Sequence, residues 1–405
     1  MEDTPVRRLP EDTIADILLR LPAKYVLRSG AVCKAWRGIT TNPHFLAARA
    51  RRQQPQSILV HTYLDAAPWR CSSDLLAGFS SEDIAVEAIP VSNPDEDRQR
   101  LFRYPGTRLT IPALCGRLLA SCNGVLLYKK DKGLYLLCNP ITRQWAELPK
   151  LPDEYCKDIE PEYAFYYHQP SGEFRLLCCL RHRIWYIVST GSAEPRHLKM
   201  NQDPDLITRF MHCLSVTATM LVLLHGSLHW PPIWRCATGE TRIMAFNTVS
   251  ESFRQMAGPT SRTPKLLKLL EMEGMLAAAD FGVEKHVDLW FLEDYSDQGW
   301  AHRHRVTSPW KFGNGEGLPR NDWGMRSVVT AGDDEGNVIL GNNDALVVYD
   351  VKGRKTPRTI NSVMNRKNRQ FVSKHVFKGS LVQHMGFSES PSADSPLIHS
   401  WSYVI

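Results

Sequence analysis

The sequence predicts an α+β multidomain chain: a small N-terminal module of three helices, then a long, mainly antiparallel β domain. Three observations carry that expectation. Helical periodicity is confined to the N-terminal stretch that ends at Asn42-Pro43. Beyond Arg52, short apolar or alternating runs alternate with turn residues. A glycine followed by a short apolar run also recurs at Gly124, Gly172, Gly226, Gly274, Gly336 and Gly379.

The chain has 405 residues, 43% hydrophobic and 23% charged, enough to bury a sizeable core. That balance excludes a mainly disordered, collagen-like or coiled-coil protein. The start, Met-Glu-Asp-Thr-Pro-Val-Arg-Arg, is charged and unlike a secretory signal. The longest uncharged run, Phe210 to Trp234, is interrupted by His, Ser and Pro. Its strictly apolar part, Met220 to Leu224, is far below the roughly 20 residues of a membrane span. With no Asn-x-Ser/Thr sequon and no Cys-x-x-Cys, the ten cysteines are expected as buried free thiols, Cys138, Cys178, Cys179 and Cys213 among them. The expected location is cytoplasm and/or nucleus.

Leu9-Pro10-Glu11-Asp12 reads as a helix start. Pro10 suits the first helical position, where its missing N–H costs nothing. Glu11, Asp12 and Asp16 place negative charge near the positive end of the helix dipole. Ile14, Ile17, Leu18 and Leu21 follow at i, i+3, i+4 and i+7, one apolar stripe, and Pro22 stops the helix. A short second segment holds Tyr25, Val26 and Leu27. A third starts near Ala31, carries Val32, Trp36 and Ile39 with Cys33 beside them, and ends at Asn42-Pro43. A unit of about 40 residues is marginal alone. Part of its apolar surface must therefore face the downstream domain, as a helical cap, or a separate partner.

The order of residues sharpens that choice. Leu9-Pro-Glu-Asp, then Ile17-Leu-Leu-Arg-Leu-Pro22, Lys24, Leu27-Arg28, Val32-Cys-Lys-Ala-Trp-Arg37 and Asn42-Pro-His-Phe45 closely resemble the F-box. One departure is Ser29-Gly30, where that family usually carries a larger apolar residue and then Arg. The resemblance implies docking on a Skp-type adaptor within a Skp–cullin–F-box ubiquitin ligase. It implies that Leu9, Pro10, Ile14, Ile17, Leu18, Leu21, Pro22, Val32, Cys33 and Trp36 form or support that interface. Leu9, Pro10, Ile17 and Leu21 are the expected contacts. The expected domains are 5–48 for this module, a basic linker at 49–55, and the β domain at 56–405.

The glycines of the β domain are spaced by 48, 54, 48, 62 and 43 residues. An aromatic follows several of them, at Trp145, Phe253 and Trp300, and Asn139-Pro-Ile-Thr-Arg-Gln-Trp145 parallels Asn247-Thr-Val-Ser-Glu-Ser-Phe253. A repeat near 50 residues suits a kelch-like β-propeller of about six four-stranded blades, with Gly in a tight turn and the aromatic between blades. An irregular β-sandwich is the alternative. Ser121-Cys-Asn-Gly124-Val-Leu-Leu, Asn139 to Pro149, Val287-Asp-Leu-Trp-Phe-Leu-Glu-Asp-Tyr295 and Tyr349-Asp-Val-Lys352 resemble the F-box-associated β-propeller region of plant F-box proteins. A propeller must close its ring, and the strand-like ends Ser57–Tyr63 and Ile398–Ile405 are expected to share the closing blade.

Recognisable catalytic motifs are missing. There is no Gly-x-Ser-x-Gly elbow and no phosphate-binding Gly-x4-Gly-Lys-Ser/Thr loop. Gly313-x-Gly315-x-Gly317 lacks a flanking strand and helix and reads as a loop. His225 with His229 and His302 with His304 could each share a strand face, but no Cys or carboxylate at ligand spacing completes a metal site, so packed or surface histidines are expected and no cofactor. The net charge of +6 divides into +5 over residues 1–52, +9 over Lys352–Lys378, and −8 elsewhere. The Lys352–Lys378 patch reads as a solvated basic surface, a docking face for an acidic partner, or a nucleic-acid patch, the last lacking interleaved aromatics.

The chain is therefore expected to be a non-catalytic substrate receptor of a ubiquitin ligase, holding an unknown protein target on loops of one propeller face. Trp230, Trp234, Arg235, Trp310 and Trp323 are candidate target contacts, since Trp and Arg are favoured at interface hot spots. The rival readings are a ligase-independent scaffold and a glycan- or small-molecule-binding propeller. Membranes and nucleic acid are not expected partners.

Overall fold

The computed structural model describes residues 9–21, 23–51, 56–64, 83–90, 99–105, 118–131, 133–152, 162–180, 184–198, 221–231, 241–261, 266–283, 286–307, 329–333, 335–341, 345–353, 356–361, 368–382, 384 and 386–388. Four helices come first: α1 (Glu11–Arg20), α2 (Ala23–Ser29), α3 (Lys34–Thr41) and α4 (Pro43–Arg51). The third ends at Asn42-Pro43 as expected, and the fourth, which was not expected, follows at once and takes in Arg49–Arg51 of the expected linker. Asn42 serves both helices. Its N–H donates to Ile39 O at the end of α3, and its Oδ1 accepts from His44 N–H at 2.8 Å, capping α4. Pro43 then occupies the first helical position, where it is tolerated. Pro10 likewise sits one residue earlier than expected, as the cap residue of α1.

The β domain contains six four-stranded antiparallel sheets. Strands β1 (Gln56–Leu64), β2 (Asp83–Pro90) and β3 (Gln99–Pro105) belong to the first. The second is β4 (Leu118–Cys122), β5 (Val125–Asp131), β6 (Leu134–Asn139) and β7 (Gln144–Glu147). The third is β8 (Glu162–His168), β9 (Glu173–Leu180), β10 (Ile184–Ser189) and β11 (Arg196–His197). The fourth is β12 (Val222–Leu224), β13 (Ser227–Trp230), β14 (Arg242–Asn247) and β15 (Ser252–Ala257). The fifth is β16 (Leu267–Met272), β17 (Met275–Val283), β18 (His286–Asp294) and β19 (Gly299–Thr307). The sixth is β20 (Val329–Gly332), β21 (Asn337–Gly341), β22 (Ala345–Asp350) and β23 (Arg358–Asn361). The last strand, β24 (Asn368–Lys378), returns to the first sheet beside β1, in the order β24-β1-β2-β3.

The leading strand of each sheet abuts its neighbours around a ring: β24 on β4, β4 on β8, β12 on β16, β16 on β20 and β20 on β24. This is a six-bladed β-propeller with the leading strands innermost. It is closed by one C-terminal strand and three N-terminal ones. The closing partner of β1 is thus β24, with Ser57 opposite Phe377 and Tyr63 opposite Arg369. The expected partner, Ile398–Ile405, lies outside the described residues. The last 11 residues of the basic stretch Lys352–Lys378 are therefore the inner strand of the closing blade.

The repeat glycines mark the hairpin between first and second strands of a blade. Gly124, Gly172, Gly226, Gly274 and Gly336 all have positive φ, and Asn123, His225 and Glu273 before three of them do as well. Both central residues with φ > 0 is the two-residue hairpin turn that matches strand twist. Gly379 follows β24, where the chain forms no hairpin because the next strand of that blade is β1. The Asn139 and Asn247 motifs are the turn between third and fourth strands. Asn139 Oδ1 accepts from the N–H groups of Ile141 and Thr142, and Asn247 Oδ1 from Val249 and Ser250. Asp294 and Asp350 do the same in the fifth and sixth blades.

Six apolar clusters fill the six gaps between blades. Strand alternation sends side chains into two clusters at once. On β5, Leu126 and Tyr128 enter the gap between first and second blades, Val125 and Leu127 that between second and third. Blades buried on both faces explain why these strands read as continuous apolar runs. Trp145 lies in the first gap. Phe253 packs at a tilt against Trp185 across the third, ring centroids 4.9 Å apart. Trp300 crosses the fourth, its Nε1–H donating to Ala257 O at 2.9 Å. In that gap His229 is fully buried; Nδ1 lies 3.1 Å from Val222 O, so that nitrogen carries the proton and Nε2 accepts from the Tyr295 hydroxyl.

After β24 the chain crosses the short-turn face as a strap. Asn139 Nδ2 donates to the carbonyls of Ser380 and Val382 at 3.1 and 3.4 Å. Leu381 enters the first cluster, and Phe387 packs against the second. Buried His384 packs edge-on to Phe174 at 4.6 Å. Trp145 and Ser388 exchange two backbone hydrogen bonds of 2.9 Å.

Two predictions follow from these contacts. Alanine at Gly274 should cost about 1–2 kcal/mol, the strain of its φ of +69°, because nothing lies within 4 Å of an added Cβ. Alanine at Gly124 should cost clearly more in urea unfolding, because its Cβ would lie 2.5 Å from Ser380 Cβ and lift the strap; equal losses would refute the strap packing. Burial pushes His229 and His384 down from 6.5 to about 4. The folded state thus favours the neutral imidazole, so this stability is fully present above pH 6.5 and is lost as pH falls toward 4. His229→Gln should make the fall of the urea midpoint over that window shallower; an unchanged slope would show that His229 does not contribute.

Candidate docking surfaces

The helices divide their apolar residues between an inside and an outside. Leu18, Val26, Ile39 and Phe45 are buried and belong to the same apolar cluster as the gap between first and second blades. Ile14, Leu21 and Trp36 are half-buried against it. Buried Arg49 on α4 donates to Leu19 O at 3.3 Å, tying α4 to the end of α1. Outside, Leu9 is 57% exposed, Ile17 46% and Val32 66%. Several exposed side chains this large on one small module mark a surface that expects cover.

Each residue of the expected interface can be placed. Leu9, Pro10, Ile17, Val32 and Cys33 are exposed, Ile14, Leu21 and Trp36 half-buried, and Leu18 wholly internal. Pro22 lies outside the described residues. Cys33 caps α3, its Sγ accepting from Trp36 N–H at 3.5 Å, so it shapes the exposed corner that carries Val32. Tyr25 and Leu27 are also exposed on the same module. The α2 spacing signals them, because Tyr25 and Leu27 flank buried Val26. The Ser29-Gly30 departure has a local reason. A Cβ at Gly30 would lie 3.1 Å from Thr40 Oγ1, where α2 turns onto α3, and Gly30 O accepts from Arg37 Nε at 3.2 Å.

The propeller has two unlike faces. Hairpins between first and second strands and between third and fourth strands open on one face, since those strand pairs are antiparallel. The remaining connections join strand ends on the other face. Gln56, where β1 begins, pairs with Lys378 at the end of β24. The helical module therefore joins the ring at the short-turn face. The strand ends that bracket residues 198–221, 231–241 and 308–328 lie on the opposite face.

Of the candidate target contacts, Trp230 lies among the described residues and is core. It is buried between third and fourth blades, 6.1 Å from the Phe253 ring. Its strand carries four consecutive buried residues, so no side of it is free. Trp234, Arg235, Trp310 and Trp323 lie outside the described residues, as do Cys213 and the Gly313–Gly317 loop. His302 and His304 do not share a face. A bulge in the β18–β19 pairing turns His302 onto Trp290 and His304 onto Phe291, on opposite sides of the fifth blade. His302 and Arg305 bind the Asp288 carboxylate at 3.0 and 2.6 Å, which hold it below the usual carboxylate range against the opposing effect of burial. Among the described residues no group of three or more His, Cys, Asp or Glu side chains is placed to hold a metal ion, and no helix is long and apolar enough to cross a membrane. Cys138, Cys178 and Cys179 are buried free thiols, and burial pushes the Cys138 thiol up.

Comparison with known proteins agrees with this division. Residues 7–47 match the F-box domain, and residues 75–369 match the F-box associated beta propeller domain. F-box protein At3g07870 of Arabidopsis thaliana is 23% identical over 369 residues, 84% of this chain and 82% of that protein. F-box protein At5g49610 of the same plant is 24% identical over 321 residues, 72% of this chain and 77% of that protein. Among solved structures, YCF48 from Cyanidioschyzon merolae is similar at a TM-score of 0.38, with 12% identity over 80% of this chain and 95% of that one. A four-helix unit with an exposed apolar corner, carried on the short-turn face of a six-bladed ring and matched by both domain families, makes this chain a member of the F-box proteins with an F-box-associated β-propeller.

Proposed function

We propose that the chain is a substrate receptor of a Skp–cullin–F-box ubiquitin ligase, docking on a Skp-type adaptor through α1–α3 and holding a protein target on its propeller. It is non-catalytic in this reading. Its contribution is proximity, bringing a target lysine near a charged ubiquitin carrier. The observation that supports it most is the exposure of Leu9, Ile17 and Val32 on a module whose internal core is already filled by Leu18, Val26, Ile39 and Phe45. Burying each such side chain at an interface contributes about 1.5–3 kcal/mol. The polarity of the ring supports the second half: helices join one face, and the longer connections bracket the other.

The test compares adaptor binding by the wild-type chain, Ile17→Asp/Val32→Asp and Leu18→Ala, by calorimetry with a purified Skp-type adaptor. The exposed pair should lose at least tenfold in affinity, since 1.4 kcal/mol is a factor of ten, while the thermal unfolding of the chain stays unchanged. Leu18→Ala should instead destabilise the module by about 2–5 kcal/mol. A folded wild-type chain that does not bind the adaptor would favour the ligase-independent scaffold.

A further inference from the structure

β16 is the innermost strand of the fifth blade, flanked in the ring by β12 and β20. Leu267 and Leu269 enter the cluster between fourth and fifth blades, Leu270 and Met272 that between fifth and sixth. Lys268 falls in the second set by alternation, on the side of β16 that meets β20. The two strands approach most closely at the other end of β16, beside its turn, where a Cβ on Gly332 would lie 2.6 Å from Glu271 O. An apolar residue is what this pattern requires, yet Lys268 is only 2% exposed.

A buried ammonium is costly unless a counter-charge meets it. Among the described residues Lys268 has no hydrogen bond and no ion pair. Among the described residues no charged group acts on it, and burial lowers its pKa from 10.5 to about 8. At neutral pH the group is still mostly cationic. A violation of local packing rules without an internal compensation is where function is to be sought.

Its place in the ring indicates from where a partner would come. Lys268 is the second residue of β16, and β16 begins on the face away from its Glu273-Gly274 turn. β12 and β20 begin on that same face, at Val222 and Val329. We propose that Lys268 is an oxyanion-binding position at the mouth of the inner strand ring, taking the carboxylate or phosphate group of a ligand that enters from the face opposite the helices. This does not depend on adaptor docking, and can fail or hold separately from it.

The experiment follows thermal unfolding of the full chain and of Lys268→Met at pH 7, in sodium chloride, phosphate and acetate at matched ionic strength. In chloride the variant should be at least as stable as wild type, because an unpaired buried charge has been replaced by a side chain of similar length. Phosphate, acetate or both should raise the wild-type Tm saturably, and that saturable gain should be absent from Lys268→Met. A response to phosphate alone assigns a phosphoryl group, to acetate alone a carboxylate. The proposal is overturned if the variant is less stable in chloride, if neither anion raises the wild-type Tm, or if both proteins gain equally. A second readout is the 13C signal of reductively methylated Lys268, identified by its absence from the variant. Its titration midpoint should move up when the effective anion is added, and a fixed midpoint also overturns the proposal.

Discussion

Everything in the β domain depends on a ring that has to close. A four-stranded blade with apolar side chains on both faces cannot be stable alone, and each of the six clusters draws on two neighbouring blades. Six gaps need six pairs, so the last blade must meet the first. The chain achieves this by building one blade from both of its ends, with β24 laid beside β1. Phe377 of β24 joins the first cluster, and Ile58 of β1 joins the cluster with the sixth blade. The strap reinforces the first gap through Leu381 and adds a tie one gap further on through His384 and Phe387. Unfolding at any one blade removes half of two clusters, which makes the ring cooperative.

Closure also decides how the helices are carried. β1 is the second strand of its blade, so the segment before it must enter at the short-turn face. Leu18, Val26, Ile39 and Phe45 belong to the same cluster that holds the first and second blades together, and Arg49 fixes α4 against α1. The helical module is therefore packed onto the place where the ring is closed. Ion pairs across the same face, Arg175 with Glu251 at 3.1 Å and Lys352 with Glu273 at 2.8 Å, link further blades. Partly exposed pairs of this kind contribute about 0–1 kcal/mol each, so they trim the turns rather than hold the ring.

What could be read from residues alone follows from how local the cause is. The repeat glycines were legible because a two-residue hairpin requires positive φ at that place, whatever surrounds it. The three spaced aromatics, Trp145, Phe253 and Trp300, were legible because each blade presents an equivalent gap. Blade number followed from both. α4 was legible in principle, since Asn42 before Pro43 is a cap followed by a first-position proline, but the same pair also ends α3. The closing strand was not, because pairing between Ser57 and Phe377 is set by the whole ring and no local signal prefers Asn368–Lys378 over a later apolar stretch. The basic composition of that strand hid it further. The strap was illegible for the same reason: Ser380 and Val382 are held by backbone carbonyls, which carry no residue code. Arg303 as an extra residue in β19 was equally silent, yet it parts His302 from His304.

The functional surfaces obey an inverse rule. Where a residue satisfies its local pattern, as Trp230 does in a fully buried strand, the pattern accounts for it and no binding role is needed. Where a residue breaks the pattern, something outside the fold is called for. Leu9, Ile17 and Val32 break it by leaving apolar area in water on a module whose core is complete, and in the proposed reading the compensation is a second protein surface. Lys268 breaks it in the opposite sense, by putting a cation on the side of β16 that carries Leu270 and Met272, with no charge among the described residues to meet it. The two departures lie on opposite faces of the ring, one at the entry of β1 and one at the start of β16. In the proposed reading that separation lets the chain hold one partner while receiving another, since two ligands on one face would compete for the same short turns.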